Sequence, residues 1–138
     1  MTIVLGTHID HDISATGALD TRDRLTLHQQ VNIIEAARLL ICGDSMMFTL
    51  VGATETPAIG FCTVTKPELM LPYRHGVLGW NFAVIPAAVP CYGCRADADP
   101  TTKLSCRFAT NDCVNSFDIQ DVLNTAEALA SVNRSRRD

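Results

Sequence analysis

The chain has 138 residues, which is the length of one domain with a buried core of its own. Its formal net charge is −4 and its basic residues cluster only at the C-terminal end, in Arg134, Arg136 and Arg137, which disfavours nucleic-acid binding. The longest apolar stretch, residues 77–89, contains Asn81 and Pro86 and is shorter than the roughly 20 residues that span a bilayer. We therefore expect no nucleic-acid partner and no membrane span.

The first residues have no charged segment, long apolar segment or small-residue cleavage site of an export signal. Met1 leads directly into a short β-branched run, residues 2–6, which predicts a buried strand. We expect a cytoplasmic, reducing location, or a larger particle assembled there. In such a location free or metal-bound thiols are more common than disulfides.

A helix is predicted to begin after Thr26. Thr26 and Gln29 have the spacing of a capping box, and Leu27, Val31 and Ile34 recur at helical intervals. A second buried run, residues 39–42, follows this helix and predicts a strand.

Gly43 closes the second strand, and Asp44 and Ser45 supply the residue types that cap a helix N-terminus. They predict a short helix over residues 46–53. Residues 57–63 then predict a third strand, and residues 82–85 a fourth.

The chain ends with an amphipathic pattern that predicts a helix from Asp118 onward. The resulting β-α-β-α-β order predicts an α/β fold with a parallel sheet and right-handed crossovers. Ligands of such sheets bind beyond the carboxyl ends of the strands. The loops of interest are therefore His8–Asp12, Gly43–Ser45 and Thr63–Thr65. In the simpler alternative, Asp44 and Ser45 only cap a helix.

Residues 20–73 carry several short motifs that resemble one family. The segment from Asp20 to Leu27 is similar to D-x-x-G-x-T-S-L, and Thr56-Pro57 and Leu71-Pro72-Tyr73 are similar to later family elements. The pattern A-R-L-x-I-G-x-D-S-G-x-x-H is matched by Ala37, Arg38, Leu39, Ile41, Asp44 and Ser45, with the first glycine displaced to Gly43.

These residues resemble the C-terminal, donor-binding domain of family-nine glycosyltransferases, the ADP-heptose:lipopolysaccharide heptosyltransferase type. The resemblance implies a Rossmann-like sheet, as in the C-terminal half of a GT-B glycosyltransferase, and a nucleotide-sugar ligand. It implies that Asp44 contacts the donor sugar, and that Ser45 and the loop containing Thr63 and Thr65 contact the diphosphate. It assigns no catalytic residue.

The chain departs from the family pattern at the phosphate side. Met46 replaces a glycine, Thr49 replaces a histidine, and residues 62–64 replace G-P-T. A methionine side chain crowds the close approach that glycine allows. The acceptor-binding domain and the first strand-helix unit of the donor domain are also expected to be missing, so that the chain alone would not transfer a sugar.

Two hypotheses therefore remain open. In one, the chain is a donor-binding module that acts beside a partner chain. In the other, it is a non-catalytic structural or assembly subunit that reuses the fold. Because a partial sheet leaves an exposed edge strand, both hypotheses predict a protein partner or a homo-oligomer.

Four cysteines, Cys91, Cys94, Cys106 and Cys113, form a cluster in the sequence that begins with C-x-x-C. This pattern is typical of a structural zinc site, because four thiolates complete a tetrahedron and leave no open position. Disulfides and free thiols remain alternatives. The predicted organisation is an α/β domain over residues 1–89, a four-cysteine loop over 90–115, and a C-terminal helix with a polar tail over 116–138.

The polar loop with His8, Asp10, His11 and Asp12 permits a metallohydrolase interpretation. A solvated loop is the preferred alternative, because neither His28 nor His75 follows a predicted strand end. Cys42 and Cys62 fall in predicted buried strands and are expected to be small core residues.

Overall fold

The computed structural model describes residues 1–7, 17–94, 106 and 110–137. The strands are β1 (Thr2–Val4), β2 (Ala18–Asp20), β3 (Leu40–Gly43), β4 (Ala58–Cys62), β5 (Tyr73–Arg74), β6 (Val77–Leu78) and β7 (Phe82–Pro86). The helices are α1 (Leu27–Ala36), α2 (Met46–Leu50) and α3 (Ile119–Arg137), with 3-10 turns at Val51–Ala53, Pro67–Leu69 and Asp112–Asn115.

The central element is a parallel sheet in the order β3-β4-β7. Cys42 of β3 lies opposite Gly60 of β4, which lies opposite Val84 of β7. The prediction of a mixed α/β fold with parallel strands and a C-terminal helix is confirmed, although the sheets are small.

The first strand belongs to a different sheet from the one that the β-α-β-α-β order suggests. β1 pairs in parallel with β2, a strand that the sequence analysis did not predict, and Thr2 lies opposite Ala18. Thr21 extends this pairing, because both its backbone N–H and its hydroxyl donate to the carbonyl oxygen of Val4, at 3.0 and 2.7 Å. The parallel strands of the described residues are thus divided between two sheets.

Helix α1 begins as predicted. The Thr26 side chain accepts a hydrogen bond from Gln29 N–H, and the Gln29 side chain accepts one from Thr26 N–H. This reciprocal pair satisfies two of the N–H groups that a helix start leaves free. Ile34, the buried residue of this helix, lies in the core.

The main core lies on one face of the sheet. Ile34, Phe48, Val51 and Ala58 form a buried cluster there. Gly60 is needed at its position in β4, because a Cβ atom would lie 2.6 Å from the Phe48 ring. The Phe48 ring also meets the Phe82 ring edge-on, with centroids 5.7 Å apart.

The opposite face of the sheet is covered less fully. Helix α3 contacts β4, and the Phe61 and Phe117 rings pack with centroids 4.8 Å apart. Ile41 of β3 is 48% exposed, and Ile119 at the start of α3 is 70% exposed. In the described part of the chain, none of the helices combines the length and apolarity needed to traverse a bilayer.

A buried arginine anchors the short β5–β6 hairpin near the amino end of β4. The guanidinium of Arg74 donates to the carbonyl oxygens of Val51 and Thr56. Its central carbon lies 4.8 Å from the Phe82 ring centroid and 5.8 Å from the Trp80 ring centroid. Desolvation lowers the pKa of Arg74 from its ordinary value, while the charge of Glu55 opposes this effect.

Candidate functional site

Asp44 connects the carboxyl ends of two parallel strands. It follows β3 directly, and its Oδ2 accepts hydrogen bonds from the backbone N–H groups of Thr63 and Thr65, at 3.3 and 3.2 Å. Thr63 and Thr65 belong to the loop that follows β4. Three of the residues that the sequence analysis selected as ligand contacts are therefore adjacent, as expected for parallel strands that end at the same edge.

The two hydrogen bonds from the backbone N–H groups of Thr63 and Thr65 to Asp44 Oδ2 are called the Asp44 bracket below. This bracket changes the chemistry that the loop can offer to a ligand. The N–H groups of Thr63 and Thr65 are engaged by a carboxylate within the chain, so they are not free to donate to a phosphate in this arrangement. Ser45 occupies the N-cap position of α2, but its side chain makes no capping hydrogen bond, and α2 spans only 5 residues. A dipole contribution from so short a helix is small.

The other oxygen of the Asp44 carboxylate, Oδ1, has a different hydrogen-bonding environment. Asp44 Oδ1 is buried and has no hydrogen-bond partner among the described residues. Leaving a buried carboxylate oxygen without a donor costs free energy, on the order of 1–3 kcal/mol or more for a charged group. Such an atom is well suited to accept a hydrogen bond from a ligand.

The start of the four-cysteine loop packs against the same edge. Residues 91–94 form a turn, in which Cys94 N–H donates to the carbonyl oxygen of Cys91 at 3.1 Å. Within it, Gly93 N–H donates to the carbonyl oxygen of Thr63 at 3.0 Å. Gly93 has a φ of +74°, and a Cβ there would lie 2.5 Å from Lys66 Cγ. Glycine therefore permits both the turn and its close approach to the loop.

Tyr92 lies in the same turn. Its hydroxyl oxygen is buried and, like Asp44 Oδ1, has no hydrogen-bond partner in the described part of the chain. Burial raises the pKa of Tyr92 above its ordinary value, and the neighbouring Cys62, Glu68 and Asp44 raise it further. The Tyr92 hydroxyl is thus a neutral group in an acidic surrounding. These neighbours come from the end of β4, from the residue after β3 and from the 3-10 turn Pro67–Leu69.

Cys42 and Cys62 are poor nucleophiles in this arrangement. Burial raises the pKa of the Cys42 thiol to about 12, although a hydrogen bond with Ser45 opposes the shift. Burial also raises the pKa of the Cys62 thiol to about 12, and the Asp44 carboxylate adds to this shift. Because the thiolate is the reactive form, both residues act as small core side chains.

None of the four clustered cysteines forms a disulfide in the described part of the chain, and each is half-buried. Cys113 lies in the last 3-10 turn, where its carbonyl oxygen accepts a hydrogen bond from the Ser116 hydroxyl at 3.0 Å. The same hydroxyl accepts a hydrogen bond from Ala88 N–H at 2.9 Å, which ties this turn to the segment before Cys91. Within residues 1–7, 17–94, 106 and 110–137, no group of His, Cys, Asp and Glu side chains is placed to hold a metal ion.

The polar loop with His8, Asp10, His11 and Asp12 lies outside the described residues. The metallohydrolase interpretation that depends on these side chains stays a prediction.

In comparisons with known proteins, no protein-family model, no curated protein and no solved structure matches the chain. The resemblance to family-nine glycosyltransferases stays a hypothesis.

The sequence does not predict that Tyr92 and Gly93 lie at this edge. The C-x-x-C pattern predicts only metal ligands. A glycine inside such a turn does signal a positive φ. The loop against which that turn packs could not be read from the local sequence.

Proposed function

We propose that the chain binds a nucleotide sugar at the carboxyl ends of β3 and β4, as the donor-binding module of a heptosyltransferase-like glycosyltransferase. The observation that carries this proposal is Asp44, whose Oδ2 orders the Thr63–Thr65 loop while its buried Oδ1 has no partner among the described residues. A carboxylate held rigidly in this way is preorganised to accept a hydrogen bond.

The chemistry of this oxygen favours a hydroxyl group of the ligand over a phosphate. A carboxylate accepts hydrogen bonds and donates none, and its charge repels a phosphate. Glu68 adds negative charge to the same region, as its effect on the pKa of Tyr92 shows. The sugar is therefore the part of the ligand that this edge would bind, and the diphosphate would lie farther away.

The proposal covers ligand binding and assigns no catalytic residue. Transfer of the sugar would require acceptor-binding groups, which we propose come from a partner chain or a second copy. Ile41, 48% exposed on the outer strand β3, is one residue that such a partner would cover.

A second candidate function is that of a non-catalytic structural or assembly subunit. Two observations favour it: the N–H groups of Thr63 and Thr65 are already engaged by Asp44, and Met46 is 54% exposed where a glycine would let a phosphate approach. In this alternative the Asp44 bracket serves only to stabilise the strand ends.

Calorimetric titration separates the two functions. The purified chain is titrated with ADP, GDP and UDP and with ADP-heptose, GDP-mannose and UDP-glucose. Donor binding predicts a dissociation constant on the order of micromolar for one nucleotide sugar, and loss of that binding in Asp44→Ala, Ser45→Ala. The exposed substitution Glu127→Ala serves as the control. A folded wild-type chain that binds none of the six ligands would support the subunit function.

We also propose that Cys91, Cys94, Cys106 and Cys113 hold a structural Zn²⁺. The supporting observations are four half-buried cysteines and the Ser116 hydroxyl, which connects the turn of Cys113 to Ala88, three residues before Cys91. Zinc would contribute folding energy to the loop and supply no reactive position.

Metal analysis of the purified chain tests this proposal. About one zinc per chain is expected, and Cys91→Ser should release it, whereas Cys42→Ala should retain it. A metal-free wild-type chain whose six cysteines all react with a thiol reagent after unfolding, without reductant, would indicate free thiols. Fewer reactive thiols would indicate disulfides.

A further inference from the structure

Two buried polar atoms without partners in the described residues lie at the same edge of the sheet, Asp44 Oδ1 and the Tyr92 hydroxyl oxygen. They belong to segments far apart in the sequence. Thr63 joins these segments, since its N–H donates to Asp44 Oδ2 at 3.3 Å and its carbonyl oxygen accepts from Gly93 N–H at 3.0 Å. Thr63 thus connects the two residues' segments, and the charge of Asp44 contributes to the raised pKa of Tyr92.

The position of Tyr92 is fixed by the turn that carries it. Gly93 is buried, and its positive φ places the turn directly against Lys66. The turn is closed by the hydrogen bond between Cys94 N–H and the Cys91 carbonyl oxygen, at 3.1 Å. A side chain on such a fixed turn is well placed to contribute to a binding site.

We propose that Tyr92 is a specificity-determining residue of the nucleotide-sugar site, whose hydroxyl contacts the same sugar ring as Asp44 Oδ1. This inference rests on the proposed function, and it adds the cysteine turn to the binding site.

The chemistry of the two atoms defines the ligand group. The carboxylate oxygen only accepts a hydrogen bond, whereas the phenol hydroxyl can donate one and accept one. Neighbouring hydroxyls on a sugar ring satisfy both atoms, because each hydroxyl also donates and accepts. A phosphate oxygen cannot donate to Asp44 and would meet the negative charges of Asp44 and Glu68. The ring would be either the transferred sugar or the ribose of the nucleotide.

The test compares Tyr92→Phe with Tyr73→Phe in the full chain. Both substitutions remove one phenol hydroxyl, and Tyr73 is 70% exposed on the β5–β6 hairpin. Each variant is titrated with the nucleotide sugar that binds the wild type and with the matching nucleoside diphosphate. Tyr92→Phe should weaken binding of the nucleotide sugar about tenfold, and Tyr73→Phe should leave it unchanged.

The two ligands identify which ring is bound. A loss seen only with the nucleotide sugar assigns Tyr92 to the transferred sugar, and an equal loss with the nucleoside diphosphate assigns it to the ribose. Unchanged affinity of Tyr92→Phe for both ligands, beside a wild type that binds, would overturn this inference and leave the proposed function intact. A wild type that binds neither ligand would overturn both.

Thermal unfolding without ligand gives a second, independent readout. Because the hydroxyl of Tyr92 is buried without a partner in the described residues, its removal should raise the melting temperature of the unliganded chain. Higher stability combined with weaker binding is the signature of a binding group, which a structural role would not produce. A lower melting temperature would show that the hydroxyl has an internal partner and would contradict the inference.

Discussion

Asp44 Oδ2 accepts a hydrogen bond from the backbone N–H of Thr65 at 3.2 Å, across the ends of two neighbouring parallel strands. The Asp44 carboxylate thereby accepts hydrogen bonds from the loop that, according to the family resemblance, would contact the diphosphate of the ligand. The loop after β4 is ordered from within the chain, and the remaining carboxylate oxygen defines the chemistry of the candidate site.

Replacement of Asp44 should destabilise the chain even without ligand. Asp44→Ala leaves the N–H groups of Thr63 and Thr65 without their acceptor, which costs about 1–3 kcal/mol for each group. Removal of Oδ1, which is buried without a partner among the described residues, offsets part of this cost, and a net loss of about 2 kcal/mol in the free energy of unfolding is expected. Asp44→Asn keeps one acceptor oxygen and should cost less. Urea denaturation measures both variants beside the exposed control Glu127→Ala, which should behave like the wild type. Equal stability of Asp44→Ala and the wild type would rule out the bracket.

Gly93→Ala should lower the free energy of unfolding more than Gly76→Ala does, although both glycines have the same backbone conformation. Gly76 and Gly93 both have a φ of +74°, but a Cβ on Gly76 meets nothing within 4 Å, whereas one on Gly93 lies 2.5 Å from Lys66 Cγ. Backbone strain should cost about 1 kcal/mol in both variants, and the clash should add at least about 1 kcal/mol in Gly93→Ala.

A double-mutant cycle with Lys66→Ala identifies the source of the extra cost. Removing the Lys66 side chain should recover the difference between the two glycine variants, as measured by urea denaturation. If Gly93→Ala and Gly76→Ala are equally stable, the cysteine turn does not pack against the Thr63–Lys66 loop in solution.

Arg74→Met should destabilise the chain by about 2 kcal/mol. Methionine keeps much of the apolar contact with the Phe82 ring, but the Thr56 carbonyl oxygen loses its guanidinium donors in a buried place. The Val51 carbonyl oxygen keeps the N–H and the hydroxyl of Thr54 as donors, so its loss is smaller. The exposed Arg24→Met is the matched control and should change the free energy of unfolding by less than about 0.5 kcal/mol. A similar small effect at Arg74 would mean that water satisfies these carbonyl groups.

The buried thiols predict a loss of stability at alkaline pH. The folded chain raises the pKa of Cys42 and Cys62 from 9.0 to about 12, so it holds their protons more tightly than the unfolded chain does. This contribution is fully present below pH 9 and is lost as the pH rises toward about 12. The double variant Cys42→Ala, Cys62→Ala should show a weaker decline of unfolding free energy over this range.

Alkylation provides the independent check on these thiols. The shift from 9.0 to about 12 lowers the thiolate population on the order of a thousandfold at neutral pH. Mass spectrometry should find Cys42 and Cys62 unmodified by iodoacetamide in the folded chain and modified after unfolding. Rapid labelling of either residue in the folded chain would contradict the burial.

Several parts of the fold could be predicted because their signals are local. The capping box of Thr26 and Gln29 lies within one helical turn, and it marks the start of α1 in both the sequence and the structure. The apolar runs mark the strands β3, β4 and β7 of the central sheet. The prediction of burial holds for β4, whereas β3 alternates half-buried and exposed residues because it lies at the edge of the sheet. Parallel strands share a carboxyl edge, so the approach of Asp44 to the Thr63–Thr65 loop also followed from the predicted order of elements.

The sequence by itself therefore determined the principal helices, the strands of the central sheet and the meeting of their terminal loops. Only the tertiary structure decided that β1 pairs with β2, that Asp44 engages the loop N–H groups, and that Tyr92 and Gly93 complete the same edge. These contacts join residues that are distant in the sequence, and their partners are selected by packing and hydrogen-bond satisfaction in the folded chain. No local pattern of residues encodes that selection.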